Sequence, residues 1–387
     1  MNPASRALFR LFRANETRVH ELNYLFWECT TRCNLRCRHC GSDCKDCSGE
    51  KDMPFEDFLK AFDTIPADKR PHPFTVVITG GEPLLRPDLP EIGRELRRRG
   101  VGWSIVSNGW LYDEEMHRRL MAAQMGALTI SLDGLEEDHD WMRGREGSFA
   151  RAINAIAIAA RQPHLNFDVV TCVNQRNLPH LQEIYDQLEA LGVKQWRIFT
   201  IIPIGRALDH PEPGVRADNL HLTDAQFVQL MDFIAARRTA GGIMNTTFSC
   251  EGYLGPYECK VRQTPYFCHA GINIASVLID GTICACPNID RQHFGQGNIY
   301  TDNLWEVWNT RFQPFRNRDW ARQGQCKDCK AFKDCLGNGM HNWHAVGDQQ
   351  GANGIIIPQA MPGDTISLIN CHYHKILRHQ SPFPKKQ

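Results

Sequence analysis

The chain has 387 residues, enough for two domains and a substantial core, and its 42% hydrophobic and 23% charged content is ordinary for a globular protein. Lys+Arg and Asp+Glu both number 44, which removes any global electrostatic case for binding nucleic acid or a membrane surface. No run approaches the roughly 18 apolar residues of a membrane span.

The first predicted element is a helix over Ser5 to Arg13, with Leu8, Leu11 and Phe12 on one face and arginines opposite. Such a helix either caps one end of a barrel or lies on a membrane surface or partner. Met1 to Glu21 carries Arg6, Arg10, Arg13 and Arg18 without a continuous apolar core, so no secretory signal is expected. The 16 cysteines are bunched at 29–47, 250–286 and 326–335, with Cys172 and Cys371 apart. In a chain without an export signal this pattern reads as metal binding rather than disulfides, in a cytoplasmic and reducing or anaerobic setting.

A strand is predicted over Asn23 to Glu28, and after it comes Cys33-Asn-Leu-Arg-Cys37-Arg-His-Cys40, a C-x3-C-x2-C run. Three thiolates on one loop can hold three irons of a [4Fe-4S] cube and leave the fourth iron without a protein ligand. The competing reading is a structural zinc loop, since Cys29, Cys44 and Cys47 lie nearby. Zinc sites favour paired C-x2-C knuckles, however, and this loop has one such pair, Cys37 and Cys40.

Short apolar runs then alternate with amphipathic stretches. Further strands are predicted over Thr75–Thr79, Trp103–Ser107, Leu128–Leu132, Phe167–Cys172 and Trp196–Ile201, with helices over Phe55–Ile65, Asp88–Arg99, Asp113–Ala123, Ser148–Ala160 and Leu178–Leu191. Asp88 and Gly100 stand where an N-cap and a C′ residue belong. Six β-α units imply α/β architecture, a partial (β/α)6 TIM-type barrel, whose ligands sit at the carboxyl ends of the strands. Each candidate motif follows a strand: Gly80-Gly81-Glu82-Pro83, Ser107-Asn108-Gly109, and Ser131-Leu132-Asp133-Gly134 with Arg143 downstream.

Taken singly these are ordinary turn sequences. In this order, behind the cysteine loop, they resemble the radical S-adenosylmethionine (radical SAM) superfamily from about Asn23 to Ala207. The resemblance implies a [4Fe-4S] cluster held by Cys33, Cys37, Cys40 and SAM, which cleaves SAM to a 5′-deoxyadenosyl radical for hydrogen abstraction. It implies that Gly80, Gly81, Glu82 and Pro83 meet the SAM amino group, and that Ser107 and Asn108 also contact SAM. Ser131 and Arg143 would hold the carboxylate, with Arg145 close by as a competitor. His39 stands where the family usually has an aromatic residue, and Pro203 to Ala207 would lie near the adenine or the substrate.

Beyond a bridging helix over Thr223 to Ala240 the rhythm changes. Ser276–Ile279 and Thr282–Ala285 flank Asp280-Gly281, a strong hairpin signal. With Cys268-x12-Gly281-x4-Cys286, Gly297-Asn298-Ile299, Trp305 to Trp308, Cys326-x2-Cys329-x5-Cys335 and Cys371, this stretch resembles the SPASM domain. That resemblance implies one or two auxiliary [4Fe-4S] clusters, the outer one held by Cys326, Cys329, Cys335 and Cys371. The family's seventh cysteine is here Gly339, which leaves Cys268 and Cys286 for the inner cluster. Cys259, Cys284 or Cys250 are possible completing ligands, with His341, His344 and His372 behind them, or an iron stays open for substrate. A four-cysteine zinc ribbon is the alternative for Cys326, Cys329, Cys335 and Cys371.

The division expected is an N-terminal helical extension (1–21), a barrel (22–215), a bridging region (216–249) and an auxiliary-cluster domain (250–387). Pro287 stands where the sulfatase-maturing subgroup usually has an aspartate, which argues against that subgroup. The resemblance favours an enzyme that oxidatively matures a ribosomally made peptide or protein, fed by a reductant such as flavodoxin or ferredoxin. A small-molecule substrate (a sugar or cofactor precursor) and a non-catalytic zinc scaffold are the alternatives. No leader-binding domain is expected in the short stretch ahead of Asn23.

Overall fold

A computed structural model describes residues 2–42, 44, 51–207, 220–249, 251–345 and 366–380. Cys47 and Cys250 lie outside the described residues.

Eight consecutive neighbours in one ten-stranded sheet run parallel. They begin with β1 (Tyr24–Glu28), β2 (Thr75–Thr79), β3 (Gly102–Ser107), β4 (Ala127–Ser131), β5 (Asn166–Val173) and β6 (Gln195–Thr200), which match the six predicted strands to within a residue or two. A seventh, β7 (Asn245–Phe248), pairs with β6 and has no counterpart in the prediction. Its sequence, Asn-Thr-Thr-Phe, is polar and short, so alternation gave no signal. The sheet is open: β7 ends one side, and a second set of strands ends the other.

That second set is the predicted hairpin, β8 (Ile274–Val277) and β9 (Thr282–Cys284), followed by β10 (Gly297–Asn298). Gly281 adopts the left-handed conformation (φ +83°) that the tight turn requires, and Asp280 accepts from the Thr282 amide at 2.9 Å. The hairpin, within the expected 250–387 region, lies beside β1, with β8 parallel to it in register Tyr24↔Ile274. Apolar Ile274, Ala275 and Val277 extend the barrel's wall because β1 would otherwise be an open edge. A two-stranded sheet of β11 (Trp343–Ala345) and β12 (Ile366–Leu368) completes the strands among the described residues.

Six helices follow the predicted pattern, α1 (Pro3–Val19), α2 (Phe55–Phe62), α3 (Leu89–Arg98), α4 (Glu114–Ala122), α6 (Ser148–Ala160) and α7 (Leu181–Ala190), and a seventh that was not predicted, α5 (Glu136–Arg143), carries Arg143 at its last position. The bridging helix α8 (Asp224–Ala240) starts at a full capping box, Thr223 with Gln226. Gly100 (φ +74°) follows α3 as expected, but Asp88 makes no capping bond. Its carboxylate is taken by Arg86 at 2.6 and 3.0 Å.

The N-terminal helix is longer than predicted and faces the other way. Leu8, Leu11 and Phe12 are exposed, while the arginine face packs inward. Arg10 pairs with Asp334 at 2.7 Å, and the buried Arg13 guanidinium donates to the Lys333 and Asp334 carbonyls. The helix therefore rests against the turn that carries Cys335, and farther along it Glu16 accepts from Asn273, the residue ahead of β8, at 3.4 Å. Carbonyls at the end of a helical turn lack internal partners, and a guanidinium supplies several donors at once.

Two buried carboxylates fasten the C-terminal part to the barrel mouth. Glu28, at the end of β1, accepts from the Ile279 amide at 3.0 Å and from Arg291 at 3.0 Å. Glu251 accepts from the Thr200 amide at 2.9 Å and its hydroxyl at 2.6 Å, and lies 3.5 Å from His372, the neighbour of Cys371. No helix among the described residues is long and apolar enough to cross a membrane.

Candidate active site

Every predicted motif of the barrel stands at a strand's carboxyl end, and the structure brings four of them onto the cysteine loop. Gly81 donates to the Thr30 carbonyl at 2.8 Å and Glu82 to the Arg32 carbonyl at 2.9 Å, so the loop after β2 lies directly under the loop after β1. A Cβ at Gly80 would meet the Thr30 carbonyl at 2.1 Å, and one at Gly81 the Arg32 carbonyl at 2.1 Å. Only glycine allows that approach.

Cys33, Cys37 and Cys44 are buried together with Leu35, with Cys40 and Trp110 at the margin. No described cysteine forms a disulfide. Burial pushes the Cys33 thiol up to about 12 and raises Cys37 as well, the latter opposed by Arg143. Such thiols ionise only beside strong positive charge, which the irons of a cluster supply. The donor set fits a cluster. Cys44 joins the same pocket, whereas Cys29 is in the barrel core, its carbonyl held by Arg86. Arg206 donates to the Cys37 carbonyl at 2.7 Å and the Cys44 carbonyl at 2.9 Å, and its own amide to the Cys40 carbonyl at 3.0 Å. The Pro203 to Ala207 segment thus clamps the cysteine loop, a contact that sequence reading missed because nothing in the spacing links residue 206 to residue 37.

Around this loop Glu82 is fully buried. Its Oε1 accepts from Ser107 Oγ at 2.9 Å and the Leu84 amide at 3.1 Å, its Oε2 from the Asn108 amide at 2.8 Å. Burial still outweighs these donors and raises the carboxyl to about 7. Ser107 is therefore engaged with Glu82, and the Asn108 amide group with Asn34 at 2.8 Å and, more distantly, the Cys33 sulfur at 3.9 Å. Pro83 opens a single helical turn capped by Glu82 itself. Ser131 is buried at the end of β4.

Arg143 and Arg145, the two competitors, are separated by the fold. Arg145 lies over the Trp110 ring at 3.6 Å and donates to the Asn34 carbonyl at 2.7 Å on the surface side. Arg143 is buried beside Cys37, paired with Asp133 at 2.7 Å, and its Nε has no protein partner. Asp133 and His39 are the residues that motif reading passed over. Burial pushes the Asp133 carboxyl up, but the charge of Arg143 leads the opposing effects and leaves it below the usual range. His39 Nε2 stands 3.4 Å from Asp133, and burial pulls its imidazole down to about 4, so it is neutral.

In the C-terminal part, burial pushes the Cys326 thiol up to about 12 and raises Cys335 and Cys371 as well, and the nearby Cys329 adds to each of the three. These four fit one metal centre. Cys268 lines a cleft with Cys335 and Asn338. Two of the possible completing ligands do not fit: Cys259 is exposed beside Ala236 and Thr239 of α8, and Cys284 is buried in the core with its thiol on the Phe294 carbonyl at 3.7 Å. His372 Nε2 is engaged, 3.1 Å from the Thr200 hydroxyl and 3.5 Å from Glu251, while its Nδ1 is buried without a hydrogen-bond partner.

Comparison with known proteins decides the family. Residues 27–188 match the Radical SAM superfamily and residues 268–330 the SPASM iron-sulfur cluster-binding domain. Mycofactocin maturase MftC of Mycobacterium tuberculosis is 31% identical over 82% of this chain and 78% of its own length. The chain belongs to the radical SAM superfamily. It is an enzyme with the family's cofactors, SAM and [4Fe-4S] clusters, rather than the zinc scaffold weighed from its sequence. AdoMet-dependent heme synthase of Methanosarcina barkeri is 27% identical over 83% of this radical SAM chain and 92% of its own length. Among solved structures, native anSMEcpe with bound AdoMet and Cp18Cys peptide superposes with a TM-score of 0.65 at 18% identity, covering 92% of this chain and 95% of that one. Streptococcus suis SuiB bound to precursor peptide SuiA gives 0.63 at 14% identity, over 88% and 78%. At those identities the likeness is one of fold.

Proposed function

We propose that this radical SAM enzyme oxidatively modifies a ribosomally made peptide or protein. The observation that carries the reading is the 31% identity to mycofactocin maturase across both the barrel and the cysteine-rich part. The domain division at 22–215, 216–249 and 250–387, a cytoplasmic setting and a flavodoxin or ferredoxin reductant belong to the same reading.

In it Cys33, Cys37 and Cys40 hold three irons of the cluster. Together, bound SAM and that cluster supply an adenosyl radical for hydrogen abstraction. The chain's own part is to place SAM and keep water out. Glu82, fixed by Ser107 and the Asn108 amide, offers an anion to the SAM ammonium, and the glycines at 80 and 81 let the backbone come close. Ser131 and Arg143, whose Nε has no protein partner, are the groups that would hold the carboxylate, with Asp133 holding the guanidinium. Asn108, Arg206 and Trp110 shape the loop around the cysteines. Cys326, Cys329, Cys335 and Cys371 hold an outer auxiliary cluster.

The test is an anaerobic incubation with SAM, a reductant and short peptides encoded beside the gene. Formation of 5′-deoxyadenosine together with a mass change in one peptide supports the reading. Turnover of no peptide, with turnover of an iron porphyrin, moves the function to the second reading. That reading, a tetrapyrrole substrate, is favoured by the match to heme synthase over 92% of that enzyme's length.

A further inference from the structure

Gly339 stands where the SPASM pattern has its seventh cysteine, and the space beside it is filled. A Cβ on Gly339 would lie 2.6 Å from His341 Cε1 and 3.1 Å from both His341 Nδ1 and Nε2. The nitrogen-bearing edge of the imidazole thus occupies the volume that a cysteine side chain at 339 would take. Gly339 has an extended φ of −69°, so its lack of a side chain is not demanded by the backbone. What glycine permits here is the approach of the ring.

The ring is also 91% buried, and its Nε2 has no hydrogen-bond partner. A buried imidazole nitrogen without a partner is costly unless something else takes it up. Its position is fixed from several sides. The next residue, Asn342, donates to the Glu251 carbonyl at 3.0 Å and accepts from the Ile369 amide at 2.9 Å. His344 Nε2 donates to the His341 carbonyl at 3.0 Å, and the other His344 nitrogen stands 4.0 Å from Asp290, in the loop that follows Cys286. Asn338, whose amide donates to the Cys335 sulfur at 3.1 Å, lines one cleft with Cys268. The turn that carries His341 thus reaches the segment bearing Cys286 through His344 and the cleft bearing Cys268 through Asn338.

We infer that His341, through its imidazole nitrogen, replaces the absent cysteine as a ligand of an inner auxiliary iron–sulfur cluster shared with Cys268 and Cys286. Imidazole and thiolate together are an established donor set for iron–sulfur clusters and raise their potential relative to thiolates alone. The inference rests on the reading of this chain as a radical SAM enzyme with auxiliary clusters. It goes beyond that reading by naming the ligand.

The experiment uses full-length, anaerobically reconstituted protein carrying Cys33→Ala, Cys37→Ala and Cys40→Ala, so that only auxiliary clusters remain. Reduced samples grown with 14N- or 15N-histidine are compared by pulsed EPR. The expected result is a directly coordinated nitrogen that changes with the isotope. His341→Ala loses that coupling and one cluster's worth of iron. Gly339→Cys combined with His341→Ala regains the iron without the coupling, which shows that the loss is not misfolding. An isotope-insensitive spectrum, unchanged iron in His341→Ala, or zinc in place of iron overturns the inference. SAM cleavage by the wild type is scored separately: cleavage without a nitrogen ligand overturns the ligand alone, and no cleavage overturns the underlying reading.

Discussion

Arg143 reaches Asp133 at 2.7 Å with one guanidinium nitrogen while another lies 3.7 Å from the Cys37 sulfur. A buried carboxylate after β4 thereby sets the position of a cation against the cysteine loop after β1. Removing the charge of one member of a buried pair leaves the other uncompensated, at a cost of about 3 kcal/mol. Asp133→Asn is expected to lower the anaerobic unfolding free energy by that amount, read by urea titration. It should also weaken SAM binding while iron content holds. An unchanged urea midpoint would refute the structural role given to the pair.

Glu82 makes the site pH-dependent in two opposing ways. Its carboxyl is raised from 4.5 to about 7, so between those values the unfolded chain binds fewer protons than the folded one. Stability that is present below about pH 4.5 is lost as pH rises through about 7, on the order of 3 kcal/mol in all. The unfolding free energy of the metal-free chain should fall over that window, and the slope should flatten in Glu82→Gln. SAM affinity should rise over the same window in the wild type, because only the carboxylate pairs with an ammonium. Parallel pH profiles of the two proteins would remove Glu82 from this role.

At Gly81 a methyl group would stand 2.1 Å from the Arg32 carbonyl, with backbone as the obstacle. Gly81→Ala must push the cysteine loop away from β2, costing roughly 3 kcal/mol. The expected variant folds with a lowered melting temperature and loses the iron held by Cys33, Cys37 and Cys40, while auxiliary iron stays. Full iron incorporation would show that the two loops are not in contact as described.

Arg13 supports the turn around Cys335 from a distance of more than three hundred residues in sequence. Loss of its charged hydrogen bonds to the Lys333 and Asp334 carbonyls should cost about 2 kcal/mol. Arg13→Ala is therefore expected to release auxiliary iron to a chelator faster than wild type. Leu11→Ser, on the exposed face of the same helix, should not. Equal release rates in both variants would remove the helix from this supporting role.

Much of the site was legible because its residues are local in sequence. The three cysteines, the Gly80 to Pro83 turn and Ser107-Asn108 are each contiguous, and each follows an apolar run whose alternation marks a strand. Helix Ser148–Ala160 was predicted to the residue because its apolar positions recur at helical spacing. Asp133, His39 and Arg206 were not legible as parts of the site. A lone carboxylate, imidazole or guanidinium acquires a role only from the partner opposite it, and His39–Asp133 and Arg206–Cys37 are pairs 94 and 169 positions apart. The inward turn of the α1 arginines was missed for a related reason. Amphipathic periodicity says that a helix has two faces, and the usual rule buries the apolar one. Here unsatisfied carbonyls at the end of a remote turn reversed that choice.

By itself the sequence determined the β-α order, the position of each motif at a strand end and the cysteine groups, because strand alternation, helical spacing and ligand spacing are all written in neighbouring residues. Only the tertiary structure decided that the C-terminal hairpin extends the barrel sheet beside β1, that Cys284 faces the core, and that the His341 ring fills the place left by Gly339. Those outcomes depend on which distant groups can satisfy one another's buried hydrogen-bonding and packing needs, and that is a property of the folded whole.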